Sequence, residues 1–329
     1  MDYSIFLSYL GIVILKSNIR GITMVLSIGE ILVDIFMEGD KKTVFPGGAP
    51  FNVAANIAHF NGDVSFYGVV GNDEYGHFLL DFAKKKIPSA LIEVKDDRDT
   101  TEAIVSLDNG ERSFRFKRDN GSDYLLDINS LKQFDLSKVS IVHLGSLMLS
   151  YKEGRDFFDE AVKYIRDNTH CLISFDVNYR DDIFNSEKEA KEIFINAIKC
   201  ADIIKFTEEE LELLTKQKDV LNGLKSLLND NQIAVVTLGK DGSIFYYKDK
   251  FIKVASYPLK PVDTTGAGDA FYSYFLYRLD LGIDLTDDSQ IINVLKRANI
   301  TGGLATQKKG AIDIAPSNEE IENFLKSRE

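Results

Sequence analysis

Asp263-Thr-Thr-Gly-Ala-Gly-Asp-Ala-Phe271 sets two glycines at the mouth of an amphipathic helix. Gly266 and Gly268 permit a tight turn and let a ligand approach the backbone, while Phe271, Phe275, Leu276 and Leu279 recur at helical spacing behind them. The first N–H groups of such a helix lack intrahelical acceptors and lie at the positive end of its dipole, which suits a phosphate or an anionic transition state. Asp269 falls in that first turn. A carboxylate there can take the proton of an attacking hydroxyl while the neighbouring N–H groups stabilise charge on a transferring phosphoryl group, the chemistry of a kinase acting on an alcohol. The alternative is an acid that only complements the helix dipole, worth about 0.3–1 kcal/mol. A dinucleotide fingerprint competes less well, because Phe271 stands where its third glycine belongs and the stretch lies late in the chain.

The 329 residues allow one large domain or two ordinary ones, and 44% hydrophobic with 27% charged residues is the composition of a soluble globular protein. A formal net charge of −12 argues against a nucleic-acid partner but leaves room for a local nucleotide site. Cys171 and Cys200 fit no metal spacing and no disulfide framework, which points to a reducing cytoplasm. There is no Walker A motif, His-Glu-x-x-His or Cys-x-x-Cys, and the four histidines are scattered. Ile5 to Leu15 has the length of a signal-peptide core, yet no basic residue precedes it, no small-residue cleavage site follows, and it is too short to span a bilayer. Residues 1–23 therefore read as an N-terminal extension or the product of a misplaced start codon, with a cleaved signal as the third reading, and no membrane partner is expected.

From Val25 to Phe36 the chain is almost continuously apolar, as expected of one strand buried on both faces, with Asp34 the exception near its end. Sugar hydroxyls are suitable donors to such a carboxylate; a helix cap or surface turn is the alternative. Gly47-Gly-Ala-Pro-Phe-Asn52 is a second glycine turn opening a helix. Gly48 would admit a ligand to the backbone and Asn52 offers a donor and acceptors, although a tight turn and a helix face use the same residues. Segments 101–107 and 113–117, joined by Asp108-Asn-Gly110, read as a hairpin, which together with 36–45 forms a small projecting sheet. From Ser140 onward strands near 141–145, 172–177, 203–206 and 233–238 alternate with helical stretches, so a parallel sheet covered by helices on both faces is expected, with ligands at its carboxyl ends. Asp176, Asn178 and Arg180 follow one such strand, where an arginine fork can hold a phosphate or a sugar; Asn178 and Asp181 equally suit a turn.

The nine-residue stretch and the Gly47–Asn52 run together resemble the two signatures of the ribokinase-like (PfkB) carbohydrate kinases, and Gly-Gly-Ala-Pro is most similar to fructokinases. The resemblance covers about residues 24 to 320. It implies an α/β, ribokinase-like three-layer fold with a mostly parallel central sheet, one kinase domain over 24–329, and a small β lid from segments near 36–46 and 92–119. It further implies Asp269 as catalytic base, an anion hole from Gly266, Ala267 and Gly268, and Arg180 beside them. Asp34, Gly47, Gly48, Asn52, Arg118, Asp176 and Asn178 would hold the sugar. Thr237, Gly239, Gly242, Thr265 and Asn299 would meet ATP. Glu210 would act on Mg²⁺ through water, although Thr207 replaces the family's Asn and a capping box explains Thr207 and Glu210 almost as well. A monovalent cation such as K⁺ is a further expected ion. The reaction implied is ATP-dependent phosphorylation of a free sugar at a primary hydroxyl, preferentially fructose to fructose 6-phosphate. Alternatives are 2-keto-3-deoxygluconate, ribose or another small sugar and, from a different class, a sugar-binding regulator without catalysis. A homodimer through the lid is expected, because an extended sheet has edges that need covering.

Overall fold

A computed structural model describes residues 24–38, 41–108 and 111–328; the readings made for 1–23, Asn109 and Gly110 lie outside the described residues. The larger of two sheets holds β1 (Val25–Ile28), β4 (Val64–Gly71), β5 (Leu91–Lys95), β8 (Ile141–Leu144), β9 (Leu172–Asp176), β10 (Ile203–Thr207), β11 (Ile233–Thr237), β12 (Ser243–Tyr247) and β13 (Lys250–Val254). Its order is β13-β12-β11-β10-β9-β8-β1-β4-β5, parallel from β11 to β5, with β12 and β13 added antiparallel. The smaller sheet, order β3-β2-β6-β7, holds β2 (Leu32–Glu38), β3 (Lys41–Gly47), β6 (Glu102–Asp108) and β7 (Glu111–Lys117).

Helices cover both faces of the large sheet because its strands are apolar on both. Along β11, Val236 belongs to the same core cluster as Phe194 and Phe158 of the helices Glu187–Cys200 and Lys152–Asn168, while its neighbour Val235 belongs to a second cluster with Phe271, Phe275 and Leu295 of the helices Ala267–Asp280 and Asp288–Ala305. Successive strand side chains point to opposite faces, so one continuously apolar strand serves two layers. Among the described residues no helix is long and apolar enough to cross a membrane.

Two sequence expectations need correction. Val25–Phe36 is not one strand: it breaks at Gly29, whose φ of +148° sends β1 into the large sheet and β2 into the lid. A Cβ at Gly29 would stand 2.7 Å from Pro50 Cγ, so only glycine fits the bend. Asp34 therefore sits mid-strand in the lid, opposite Phe45 and Ala103, rather than at the end of a core strand. The lid also begins earlier than expected, at Leu32, and omits residues 92–95, which belong to β5 at the edge of the large sheet.

Candidate active site

A cleft between the carboxyl ends of the large sheet and the lid encloses roughly 490 Å³, its open mouth included. Its wall carries Glu30, Asp34, Gly48, Asn52, Asn178, Arg180, Thr265, Gly266 and Asp269, with Leu32, Ala103, Phe116 and Leu147 as apolar lining. Residues far apart in sequence converge here because each parallel strand ends at the same edge.

The helix Ala267–Asp280 opens on Gly266 in the left-handed region at φ +71°, and a Cβ there would lie 2.9 Å from Ala311 Cα. Asp263, the first acid of the stretch, accepts from the N–H groups of Thr265 (2.9 Å) and Gly310 (3.2 Å), so it ties the glycine turn to a later loop. Asp269 accepts a 2.8 Å hydrogen bond from the Asn52 amide, 217 residues away, which joins the two glycine turns into one site. Burial pushes the Asp269 carboxyl above its usual range, against donation from Asn52, with Asp176 adding to the rise and Lys205 and Arg180 opposing it. Behind the turn, the Lys205 ammonium lies 3.5 Å from where a Gly268 side chain would begin. An open helix N-terminus backed by a buried cation is a fitting cradle for the phosphates of a nucleotide. Among the described residues no group of three His, Cys, Asp or Glu side chains is placed to hold a metal ion.

Across the cleft, burial and the neighbouring Asp269 charge raise Asp34 to about 7. Gly47 lies outside the wall but makes it possible, since a Cβ there would meet Asp34 Oδ2 at 2.3 Å. Gly48, at φ +106°, brings the helix Ala49–His59 against Glu30, whose carbonyl a Cβ would meet at 2.4 Å. Asn178 adopts φ +38° and carries the chain to the exposed Arg180, the one basic residue on the wall.

Three expected contacts are otherwise engaged. Asp176 is buried off the wall, its two oxygens each 2.9 Å from Lys205 Nζ, because β9 and β10 place the two residues side by side. Arg118 is buried too and is bonded to Asp123 (2.7 and 3.2 Å), Ser150 and the Leu147 carbonyl rather than facing the cleft. Glu210 caps its own helix by accepting from Thr207 N (2.7 Å) and also accepts from Tyr179 N (2.8 Å), so it steadies the loop that carries Arg180. Of the residues expected to meet a nucleotide, Thr237 donates to the Phe206 carbonyl at 3.3 Å and Gly239 has open space around it. Gly242 and Asn299 meet at the Val254 carbonyl, the first by a close approach that a Cβ would block at 2.0 Å and the second by a 3.1 Å hydrogen bond.

Sequence reasoning missed Glu30 and Lys205. Both are charged residues within apolar runs, the signal that singled out Asp34.

The raised carboxyls also set how stability responds to pH. Glu30 (about 8), Asp34 (about 7) and Asp280 (about 7) are held up chiefly by burial, so each binds its proton more tightly folded than unfolded. The stability each contributes is complete below the unfolded carboxylate value and is lost as pH rises through the folded one. His143, lowered to about 4 by burial, acts oppositely, but only below about pH 6.5. The ligand-free protein is therefore expected to lose stability from about pH 4.5, where the unfolded carboxylates ionise, to about pH 8, with His143 offsetting part of the loss below about pH 6.5, by up to about 1.4 kcal/mol per pH unit for each group that is protonated when folded and ionised when unfolded. Melting temperatures across that window check this; a flat or rising profile would contradict the burial of these acids.

Comparison with known proteins agrees with the geometry. The family described as pfkB family carbohydrate kinase matches residues 22–318. A fructokinase of Vibrio alginolyticus is 31% identical over 301 residues, covering 90% of this chain and 97% of that protein. The crystal structure of fructokinase from Vibrio cholerae O395 with fructose, ADP and calcium ion bound superposes with a TM-score of 0.82 at 31% identity, over 93% of this chain and 100% of that one. That of fructokinase with bound ATP from Xylella fastidiosa gives 0.84 at 26% identity, over 93% and 98%.

Proposed function

We propose, for a chain that belongs to the pfkB family of carbohydrate kinases, that the sugar it phosphorylates is D-fructose, at the primary hydroxyl that gives fructose 6-phosphate. The observation that carries this reading is the Asn52–Asp269 hydrogen bond, which holds a base beside an open helix N-terminus, with Asp34 across the same cleft. In the reaction Asp34 and Asn52 hold sugar hydroxyls and Asp269 accepts the proton of the attacking one. The N–H groups at Gly266, Ala267 and Gly268 receive the charge that builds on the transferring phosphoryl group, with Lys205 behind them and Arg180 at the mouth. ATP would supply the phosphoryl group and Mg²⁺, approached by Glu210 through water, would neutralise its oxygens, while Thr237, Gly239, Gly242, Thr265 and Asn299 are the residues assigned to the nucleotide.

Charge favours fructose over 2-keto-3-deoxygluconate. The wall holds three carboxyl groups, of which burial raises Glu30 to about 8 and Asp34 to about 7, against one exposed arginine, so it offers largely neutral donors and acceptors that suit a polyhydroxylated neutral sugar and only a single cation to a substrate carboxylate. The relatives named fructokinase support the same choice. Coupled ADP release on fructose, ribose and 2-keto-3-deoxygluconate tests it: kcat/KM should be highest on fructose by at least about tenfold. A preference for the sugar acid would overturn the charge argument, and tight sugar and ATP binding without turnover would mark a regulator.

A further inference from the structure

We propose that the Glu30 carboxyl grips a hydroxyl of the bound sugar and thereby selects the substrate, a role that rests on the sugar-kinase reading of the same cleft. Glu30 is 1% exposed, it lines the cleft beside Asp34, Gly48 and Asn52, and neither of its carboxyl oxygens has a hydrogen-bond partner in another residue, its own backbone N–H being the one donor that opposes the effect of burial. Buried polar groups in folded proteins are nearly always paired, and an unpaired carboxyl is among the most costly to leave so. Its placement is built in: Gly145 leaves it room, since a Cβ there would stand 2.7 Å from Glu30 Oε2.

The Arg118 charge acts on Glu30 through space and opposes its rise, but no cation is hydrogen-bonded to it. The nearby Arg118 guanidinium is engaged by Asp123, Ser150 and the Leu147 carbonyl. Burial raises Glu30 to about 8, so at neutral pH the carboxyl keeps its proton and presents both a donor and an acceptor. A sugar hydroxyl is also both. Two further atoms of the same wall, Asn52 Oδ1 and Thr265 Oγ1, are buried without partners, so the cleft retains unmet hydrogen-bonding capacity of the kind a polyhydroxylated, uncharged ligand would satisfy. A site built to bond a hydroxyl strongly rejects the analogue lacking it, because its own polar groups are then left unpaired.

The test uses the full chain with Glu30→Leu and Glu30→Gln, and reads KM for fructose, KM for ATP and melting temperature. Glu30→Leu should raise the fructose KM by about tenfold or more and leave the ATP KM within about twofold, while melting at or above wild type, since it removes an unpaired buried carboxyl. Glu30→Gln, which keeps a donor and an acceptor, should fall between. Among fructose analogues each lacking one hydroxyl, one should lose about tenfold in kcat/KM on wild type yet match fructose on Glu30→Leu. A Leu variant that melts well below wild type would show that the protein itself pairs the carboxyl, and would overturn the proposal. So would an unchanged fructose KM in an otherwise active wild-type background, which leaves the sugar-kinase reading standing. A wild type inert on every sugar overturns both.

Discussion

Asp269→Asn lowers kcat by at least about a hundredfold while KM for ATP changes much less. Asn keeps nearly the same volume and its amide oxygen can still accept from Asn52, so the bond that joins the two glycine turns survives. It cannot take the proton of an attacking hydroxyl. General-base catalysis contributes about 10²–10⁴-fold, and the base works best when its pKa lies toward the operating pH, the direction in which burial moves Asp269. The competing view, an acid that merely complements the helix dipole, predicts a small stability cost and an intact rate. The substitution also removes the charge that helps raise Asp34, so the variant should melt at or above wild type. A variant that melts with wild type and retains more than about a tenth of its kcat would end the general-base assignment.

What the sequence made legible was local. Gly266 and Gly268 ahead of Phe271 and Phe275 define a helix mouth within a dozen residues, and the strand–helix alternation after Ser140 defines the sheet, so the fold class and the candidate base could be read without coordinates. Pairings set by tertiary register could not. Lys205 meets Asp176 only because β9 and β10 align those two positions, and nothing in either strand alone reveals its partner. The division of Val25–Phe36 was hidden for another reason: both halves are apolar, and Gly29 bends the chain to clear Pro50, which arrives from a different element. Glu30 had a visible signal, an acid in an apolar run, but its distinguishing property is the lack of a hydrogen-bond partner in any other residue, and only packing shows that.

Arg118→Ala is expected to act on stability rather than selectively on the sugar. The guanidinium is 4% exposed beside an Asp123 that is fully buried, and it lies 5.6 and 5.2 Å from the stacked rings of Tyr124 and Tyr151. Asp123 also accepts from the hydroxyl of Thr101, the residue just before β6, so the pair clamps the base of the lid. Removing the arginine leaves a buried carboxylate with no cation, which typically costs about 3–5 kcal/mol, a drop in melting temperature on the order of 10 °C for a chain of this size. The double variant Arg118→Met with Asp123→Leu should recover most of that loss, because replacing both partners by apolar groups removes the stranded charge. A direct sugar contact predicts the reverse pattern: unchanged melting, a raised sugar KM, and no rescue by the second substitution. Thermal melting of the three variants beside sugar kinetics decides between them, and an Arg118→Ala protein as stable as wild type would refute the clamp.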